Sequence, residues 1–111
     1  MKTGDLVLIP FPFSELSQAK LRPAVVICQT SDLFKDLVLA AVTSVLHNPL
    51  NPNEYLLIPD SANGLRVQSI LRCDRIMTLK QETLHIQIGK LNEIDLQQFK
   101  VIFKNLIETK N

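Results

Sequence analysis

The pattern of apolar and polar positions predicts a chain built mainly from short strands. Apolar runs rich in Val, Ile and Leu alternate with turns containing Pro, Asn, Asp and Ser, which is typical of β-structure. Pro10 and Pro12 cannot donate to a strand ladder, so the first strand should bend or lie at an edge there. The predicted strands cover residues 6–11, 23–28, 37–42, 54–58, 68–71, 75–79 and 85–88.

The period changes near the C-terminus and predicts one helix. Five apolar residues follow the spacing i, i+3, i+4, i+7 and i+8, namely Phe99, Ile102, Phe103, Leu106 and Ile107. Asn92 is a good N-cap, and the acids Glu93 and Asp95 suit the first turn of a helix. We expect this helix to cover the open end of a small, strongly bent antiparallel sheet or barrel. The predicted fold class is therefore mainly β (α+β), with residues 1–111 as a single domain.

Composition and charge narrow the classes of function. The chain has 111 residues and a net charge of only +1, which argues against a protein that coats duplex DNA but allows a local basic patch. No apolar run approaches a membrane span, and the first residues lack a signal-peptide pattern, so we expect a cytoplasmic protein. Cys28 and Cys73 are expected to be free thiols. The only histidines of the chain are His47 and His85, so the sequence offers no set of zinc ligands and no metal site is predicted.

The segment at residues 20–27 carries the strongest candidate for chemistry. Lys20 and Arg22 are cations placed at the mouth of a predicted loop, just before Pro23 and a buried apolar strand. The residue before a proline is driven toward extended geometry, so Arg22 should not be helical. A cation on an extended backbone at the edge of a rigid strand is a common way to build a site. The alternative is a surface arginine on a hairpin loop.

Several stretches, in this order along the chain, together resemble the MazF/PemK toxins of bacterial toxin–antitoxin modules. They are Gly4-Asp5-Leu6-Val7, Leu21-Arg22-Pro23-Ala24-Val25-Val26, Ala40-Ala41-Val42-Thr43-Ser44, Gly64-Leu65 to Ser69-Ile70-Leu71, Asp74-Arg75-Ile76-Met77-Thr78-Leu79 and Ile88-Gly89-Lys90-Leu91. The resemblance covers almost the whole chain. It implies an SH3-like, CcdB-like barrel, a homodimer and a cognate antitoxin. It also implies a sequence-selective endoribonuclease that needs no cofactor or metal, with Arg22 and Thr43 as the catalytic pair.

The chain departs from the family pattern at two places. Many members carry Glu-Gln followed by Gly before the catalytic arginine, where this chain has Ser17-Gln18-Ala19-Lys20. Arg75 stands where many members have Gln. The RNA sequence that is recognised therefore cannot be carried over from the resemblance.

The chemistry explains why these residue types suit RNA cleavage. Without a metal, the neighbouring 2′-hydroxyl can attack the phosphorus, which then gains negative charge. A guanidinium holds two phosphate oxygens at once, so Arg22 would stabilise this charge, and it could also donate a proton to the leaving 5′-oxygen. Thr43 would donate a hydrogen bond to the same phosphate; its alternative role is to satisfy a backbone group at the strand end.

Further residues are expected to contact RNA or to extend the basic wall. We predict RNA contacts from Gln18, Lys20, Ser44 and Arg75. Arg66 and Arg72 are candidates for the wall. His47 is expected to be an exposed turn residue, with a role as general acid or base as the alternative.

Two other functions remain open at this level. The same barrel occurs in non-enzymatic toxins that bind DNA gyrase through the C-terminal helix, and a degenerate member would act as an inactive interaction module. The presence of Arg22 and Thr43 at the catalytic positions of the family favours the nuclease.

Overall fold

Six strands form one antiparallel sheet in the computed structural model, which describes residues 1–11 and 20–108. The sheet has the order β4-β5-β3-β2-β1-β6. Its strands are β1 (Asp5–Phe11), β2 (Lys20–Gln29), β3 (Leu37–Thr43), β4 (Glu54–Leu57), β5 (Ser69–Leu79) and β6 (Ile86–Lys90). A short 3-10 helix (Gln81–Thr83) precedes β6, and the helix α1 (Glu93–Ile107) follows it.

The sheet is apolar on both faces. One core cluster includes Leu6, Val25 and Leu71 and also contains Phe99 of α1, so the helix covers that face. A second cluster includes Val7 and other β1–β3 side chains. Because successive strand residues point to opposite faces, neighbours such as Leu6 and Val7 fall into different clusters. The predicted fold class, a mainly β bent antiparallel sheet or barrel with a C-terminal helix, is confirmed, and the observed architecture is a mostly antiparallel half-barrel followed by α1.

The end of β1 behaves as Pro10 predicts, whereas Pro12 falls outside the described residues. The pairing of β1 with β6 stops at Leu8, whereas its pairing with β2 continues through Pro10 to Phe11. Pro10 therefore lies where β1 has become an edge on one side, and its missing N–H interrupts no ladder there.

The prediction of two separate strands at residues 68–71 and 75–79 was wrong. Both belong to β5, which pairs with β3 along its length but shifts register between Ala40 and Ala41. Ala40 pairs with Ile76 and Ala41 with Arg72, so three residues of β5, numbers 73–75, bulge out of the ladder. The bulge is anchored by Cys73, which is fully buried and donates its backbone N–H to the carbonyl of Asn53 at 2.9 Å.

The helix begins as predicted. The side-chain oxygen of Asn92 accepts the backbone N–H of Asp95 at 2.8 Å, which satisfies one of the free donors of the first turn. Phe99 is buried in the core, whereas Ile107, the last helical residue, is 68% exposed. The apolar face is thus one residue shorter than its periodicity suggests.

No helix in the part of the chain described by the structure is both long and apolar enough to span a membrane.

Candidate active site

Arg22 lies inside a strand and not in a loop, which corrects the sequence-based expectation. It belongs to β2 and pairs with Ile9 of β1. The extended geometry that Pro23 imposes on Arg22 is also that of a strand, so the strand simply starts earlier than predicted. Pairing of β2 with β3 begins only at Ala24, so the absent N–H of Pro23 leaves no gap in that ladder.

Thr43 ends β3 beside Arg22. The register of β2 and β3 pairs Ala24 with Ala41, and continuing it by two residues would put Arg22 opposite Thr43. On its other side, Thr43 pairs with Ile70 of β5. Arg22 and Thr43 line one cleft of about 560 Å³. The fold therefore brings together the two residues that the family resemblance assigns to catalysis.

We call this depression the arginine cleft, because three arginines contribute to it. Its lining consists of Arg22, Ala41, Val42, Thr43, Val45, Arg72, Asp74, Arg75, Ile76 and Met77. The bulge of β5 supplies Asp74 and Arg75, which are both exposed. Among the described lining residues, three cations against one carboxylate make the cleft locally positive, although the net charge of the chain is only +1. Such a cleft favours an anion with several oxygens, such as a phosphodiester.

The hydroxyl of Thr43 has a local partner as well as a place in the cleft. Its Oγ1 accepts the backbone N–H of Val45 at 3.1 Å, which is the strand-end role considered as the alternative. A hydroxyl that accepts one hydrogen bond still has a proton to donate. The backbone contact therefore orients the oxygen and is compatible with a hydrogen bond to a ligand in the cleft.

Of the other residues that the sequence assigns to RNA contacts or to the basic wall, some line the arginine cleft or a neighbouring one. Arg75 lines it directly, whereas Ser44 and Arg66 line a neighbouring cleft of about 380 Å³ that shares Arg22. Lys20 is exposed at the start of β2, and Gln18 falls outside the described residues. Arg22 thus lines two neighbouring depressions, and each of them also contains other candidate residues for RNA contact.

A buried carboxylate behind the cleft was missed by the sequence analysis. The Glu54 side chain is only 1% exposed, and one oxygen accepts the Asn51 backbone N–H at 2.9 Å and bonds His47 Nε2 at 2.7 Å. Its other oxygen lies 3.6 Å from Arg72 Nε. The Asn51 hydrogen bond lowers the pKa of Glu54 against the opposing effect of burial, helped by His47 and then by Arg72. Glu54 is therefore ionised at neutral pH.

His47 and Glu54 gave only weak signals in the sequence. His47 was expected to be a plain turn residue, yet its half-exposed ring binds a buried acid across the loop between β3 and β4. One sequence pattern could have pointed to Glu54. It is an acid at the start of an apolar strand, and an arginine, Arg72, lies on the strand that follows. Asp74 was also not predicted as a site residue, because nothing in the sequence shows that the bulge of β5 places it in the same cleft as Arg22.

Residues 1–11 and 20–108 contain no cluster of three or more His, Cys, Asp or Glu side chains that could hold a metal ion.

The fold and the cleft together define a small half-barrel protein with a cationic site at the ends of its central strands. A family model described as "PemK-like, MazF-like toxin of type II toxin-antitoxin system" matches residues 2–107. The chain belongs to this family of toxins. A search of curated proteins gave no match.

Solved structures support the same fold. One is an endoribonuclease in complex with its cognate antitoxin from mycobacterial species, with a TM-score of 0.75 and 13% identity, covering 98% of this chain and 96% of that one. Another is the Mycobacterium tuberculosis toxin MazF-mt6, with a TM-score of 0.67 and 19% identity, covering 96% of this chain and 99% of that one. At these identities the likeness concerns the fold.

Proposed function

We propose that this toxin is a metal-independent endoribonuclease that cleaves single-stranded RNA in the arginine cleft, as one domain spanning the chain. The observation that carries the proposal is the convergence of Arg22 and Thr43 on one cleft that also contains Arg72 and Arg75. Membership of a toxin family and the likeness to an endoribonuclease fold support it.

The side chains of the cleft suit cleavage by the 2′-hydroxyl of the RNA itself. The 2′-oxygen attacks phosphorus, the bond to the 5′-oxygen breaks, and the products are a 2′,3′-cyclic phosphate and a 5′-hydroxyl. Arg22 and Arg72 stabilise the charge that builds on the phosphate oxygens, and Thr43 donates to the same group. Asp74 is the carboxylate among the described lining residues and accepts the proton of the 2′-hydroxyl. The leaving oxygen takes a proton from the Arg22 guanidinium or from solvent.

Substitution of Arg22 tests this proposal directly. Arg22→Ala should lower the cleavage rate of single-stranded RNA by roughly 10²–10³ and abolish growth arrest, because a preorganised charge-stabilising donor is lost. Its thermal midpoint should stay within a few degrees of the parent. Lys100→Ala, which removes an exposed cation from the polar side of α1, is the matched control and should leave cleavage unchanged.

The same assay separates the alternatives. Cleavage should persist in excess EDTA and leave cyclic phosphate ends; activity lost to EDTA and restored by magnesium would overturn the mechanism. A gyrase-binding toxin would stay toxic as Arg22→Ala with its RNA intact, and changes on α1 would relieve the toxicity. An inactive interaction module would arrest growth in neither form.

We also propose the two partners that this activity requires. Two copies of the chain form a homodimer, whose symmetry brings two arginine clefts toward a shared groove. A cognate antitoxin with acidic and apolar residues covers that groove and offsets Lys20 and Arg22 as phosphate would. Sedimentation should show a dimer at tens of micromolar, and a species that stays monomeric contradicts the first proposal. Hydrogen exchange should show protection of β2 around Arg22 when antitoxin binds, and unchanged exchange contradicts the second.

A further inference from the structure

Glu54 has two oxygens with different surroundings. One oxygen is held by the backbone N–H of Asn51 and the ring of His47, both from the loop that precedes β4. The other is buried, makes no hydrogen bond with the described residues, and faces Arg72 Nε at 3.6 Å. The carboxylate is thus fixed from the loop side and presents a charged oxygen toward the cleft side.

Arg72 has one part of its side chain near Glu54 and another part in the cleft. Its Nε is buried and has no hydrogen-bond partner among the described residues, yet its side chain is 32% exposed and lines the arginine cleft. Arg72 therefore has a buried Nε near Glu54 and a side chain that also reaches the cleft. An arginine has five N–H donors, so an Nε directed at Glu54 leaves four on the outer nitrogens for a ligand.

Strand register keeps the two residues side by side. Glu54 of β4 pairs directly with Arg72 of β5, which pairs in turn with Ala41 of β3. Arg72 therefore lies one strand away from the strand that ends at Thr43. A rotation of its guanidinium would move the outer nitrogens within the cleft, and the Glu54 oxygen opposes such a rotation.

We propose that Glu54 is a positioning residue that orients the Arg72 guanidinium toward the scissile phosphate, with His47 holding Glu54 in place. If Glu54 served only to stabilise the fold, its burial next to Arg72 would be hard to explain, because a buried ion pair adds little net stability once its desolvation is counted. Such a role also leaves unexplained why the loop holds one oxygen with two hydrogen bonds while the other faces only the cleft arginine. The catalytic part of this inference rests on the proposed function, but the orientation of Arg72 can be measured without RNA.

The first experiment follows the Arg72 side chain by ¹⁵N–¹H NMR in the protein alone. In the parent chain the Arg72 Nε–H signal should exchange slowly with solvent, and Glu54→Gln should accelerate its exchange by at least about tenfold, as expected when a charged partner is lost. The exposed Arg75 provides an internal control whose signal should not change, and Glu82→Gln repeats the substitution at an exposed acid of the 3-10 helix. Equal exchange of Arg72 in the parent and in Glu54→Gln overturns the inference, whether or not the protein cleaves RNA.

The second experiment measures the coupling in the cleavage reaction. Glu54→Gln should lower kcat by roughly 10- to 100-fold with little change in KM, because a misplaced catalytic group loses rate more than binding. In an Arg72→Ala background the same substitution should have no further effect on kcat. Independent effects that multiply would show that Glu54 does not act through Arg72, and would overturn the inference. A parent chain that cleaves no RNA would refute the proposed function and leave the NMR result to decide this one.

A milder variant keeps the test usable if Glu54→Gln does not fold. His47 is half-exposed, so His47→Ala removes one bond to Glu54 without leaving a cavity in the core. It should speed the exchange of the Arg72 Nε–H and lower kcat several-fold in the same direction. An unchanged Arg72 signal in a folded His47→Ala protein would exclude His47 from the arrangement.

Discussion

The hydroxyl of Tyr55 donates a hydrogen bond to Asp95 Oδ1 at 2.6 Å and so ties the edge strand β4 to the first turn of α1. Asp95 is already fixed there, since its other carboxylate oxygen accepts a hydrogen bond from the Asn92 side chain at 3.0 Å. The Asp95 hydrogen bond raises the pKa of Tyr55 to about 12, with burial and the carboxylate charge adding to the effect. One side-chain contact thus fastens the helix to the sheet.

Removing that hydroxyl should destabilise the protein without touching the arginine cleft. We expect Tyr55→Phe to lower the free energy of unfolding by about 1–2 kcal/mol, since a hydrogen bond to a charged group is lost and Asp95 keeps its other partner. Thermal unfolding measured at neutral pH should show a midpoint lower by several degrees. RNA cleavage at a temperature where both proteins are folded should be the same, and a selective loss of activity would contradict the assignment of Tyr55 to structure.

The same contact predicts a pH dependence at the alkaline end. Because the pKa of Tyr55 is higher in the folded chain than the usual value near 10, its contribution is complete below about pH 10 and declines as the pH rises toward 12. The difference in stability between the parent and Tyr55→Phe should therefore shrink over that interval. Denaturant unfolding at successive pH values measures it, and a constant difference would show that the phenol does not titrate as inferred.

Gly64 is required by its backbone and by its surroundings. Its φ is +72°, and a Cβ added there would lie 2.1 Å from the carbonyl oxygen of Ile88. Gly64→Ala should therefore cost at least about 2 kcal/mol of stability, because both the left-handed conformation and the contact with backbone resist it. Ser61→Ala, at an exposed position of the same segment, should change the unfolding midpoint little. Similar midpoints for both variants would contradict this account.

The two cysteines should differ in reactivity. Cys28 is exposed, whereas burial, with a smaller effect from the Asp74 charge, raises the pKa of the Cys73 thiol to about 11. A thiol reagent at pH 8 should modify one site quickly in the folded protein and the second only after unfolding, since the thiolate is the reactive form. Cys28→Ser should abolish the fast phase. A fast phase that survives in this variant would place Cys73 outside the core.

Thr43 allows the hydroxyl to be tested apart from side-chain size. Thr43→Ser keeps the oxygen that accepts from Val45 and should retain most of the activity. Thr43→Val keeps the shape but removes the donor, and should lower the rate of RNA cleavage by roughly 10²–10³. Cleavage rates of the two purified variants decide the matter. Equal activity of both would assign Thr43 to the strand end alone.

Much of the fold and part of the site follow from local sequence. Apolar runs, turn residues and the cap at Asn92 act over a few positions, so the strand order in the chain and the helix start can be predicted from them. The bulge of β5 cannot, because it arises from a register shift against β3 and from the burial of Cys73. The same holds for the contact of Glu54 with Arg72, which depends on pairing between β4 and β5.

The site residues likewise fall into those that the sequence could indicate and those that depend on how the strands pair. Arg22 and Thr43 were predicted from the family resemblance, and Arg22 also from its position before Pro23. The sequence could not show that both line one cleft with Asp74, since that depends on three strands meeting. Arg22 was also expected in a loop because no local signal marks the earlier start of β2.

Within the bulge of β5, the residue that packs in the core is different from the residues that line the arginine cleft. Residues 73–75 lie outside the ladder between β3 and β5, and within them only Cys73 is buried. Asp74 and Arg75 can therefore be exchanged without altering the strand pairing before or after them. Under the proposed function, a substitution at Arg75 would change the side chain that the cleft offers to RNA while the half-barrel that supports it stays the same.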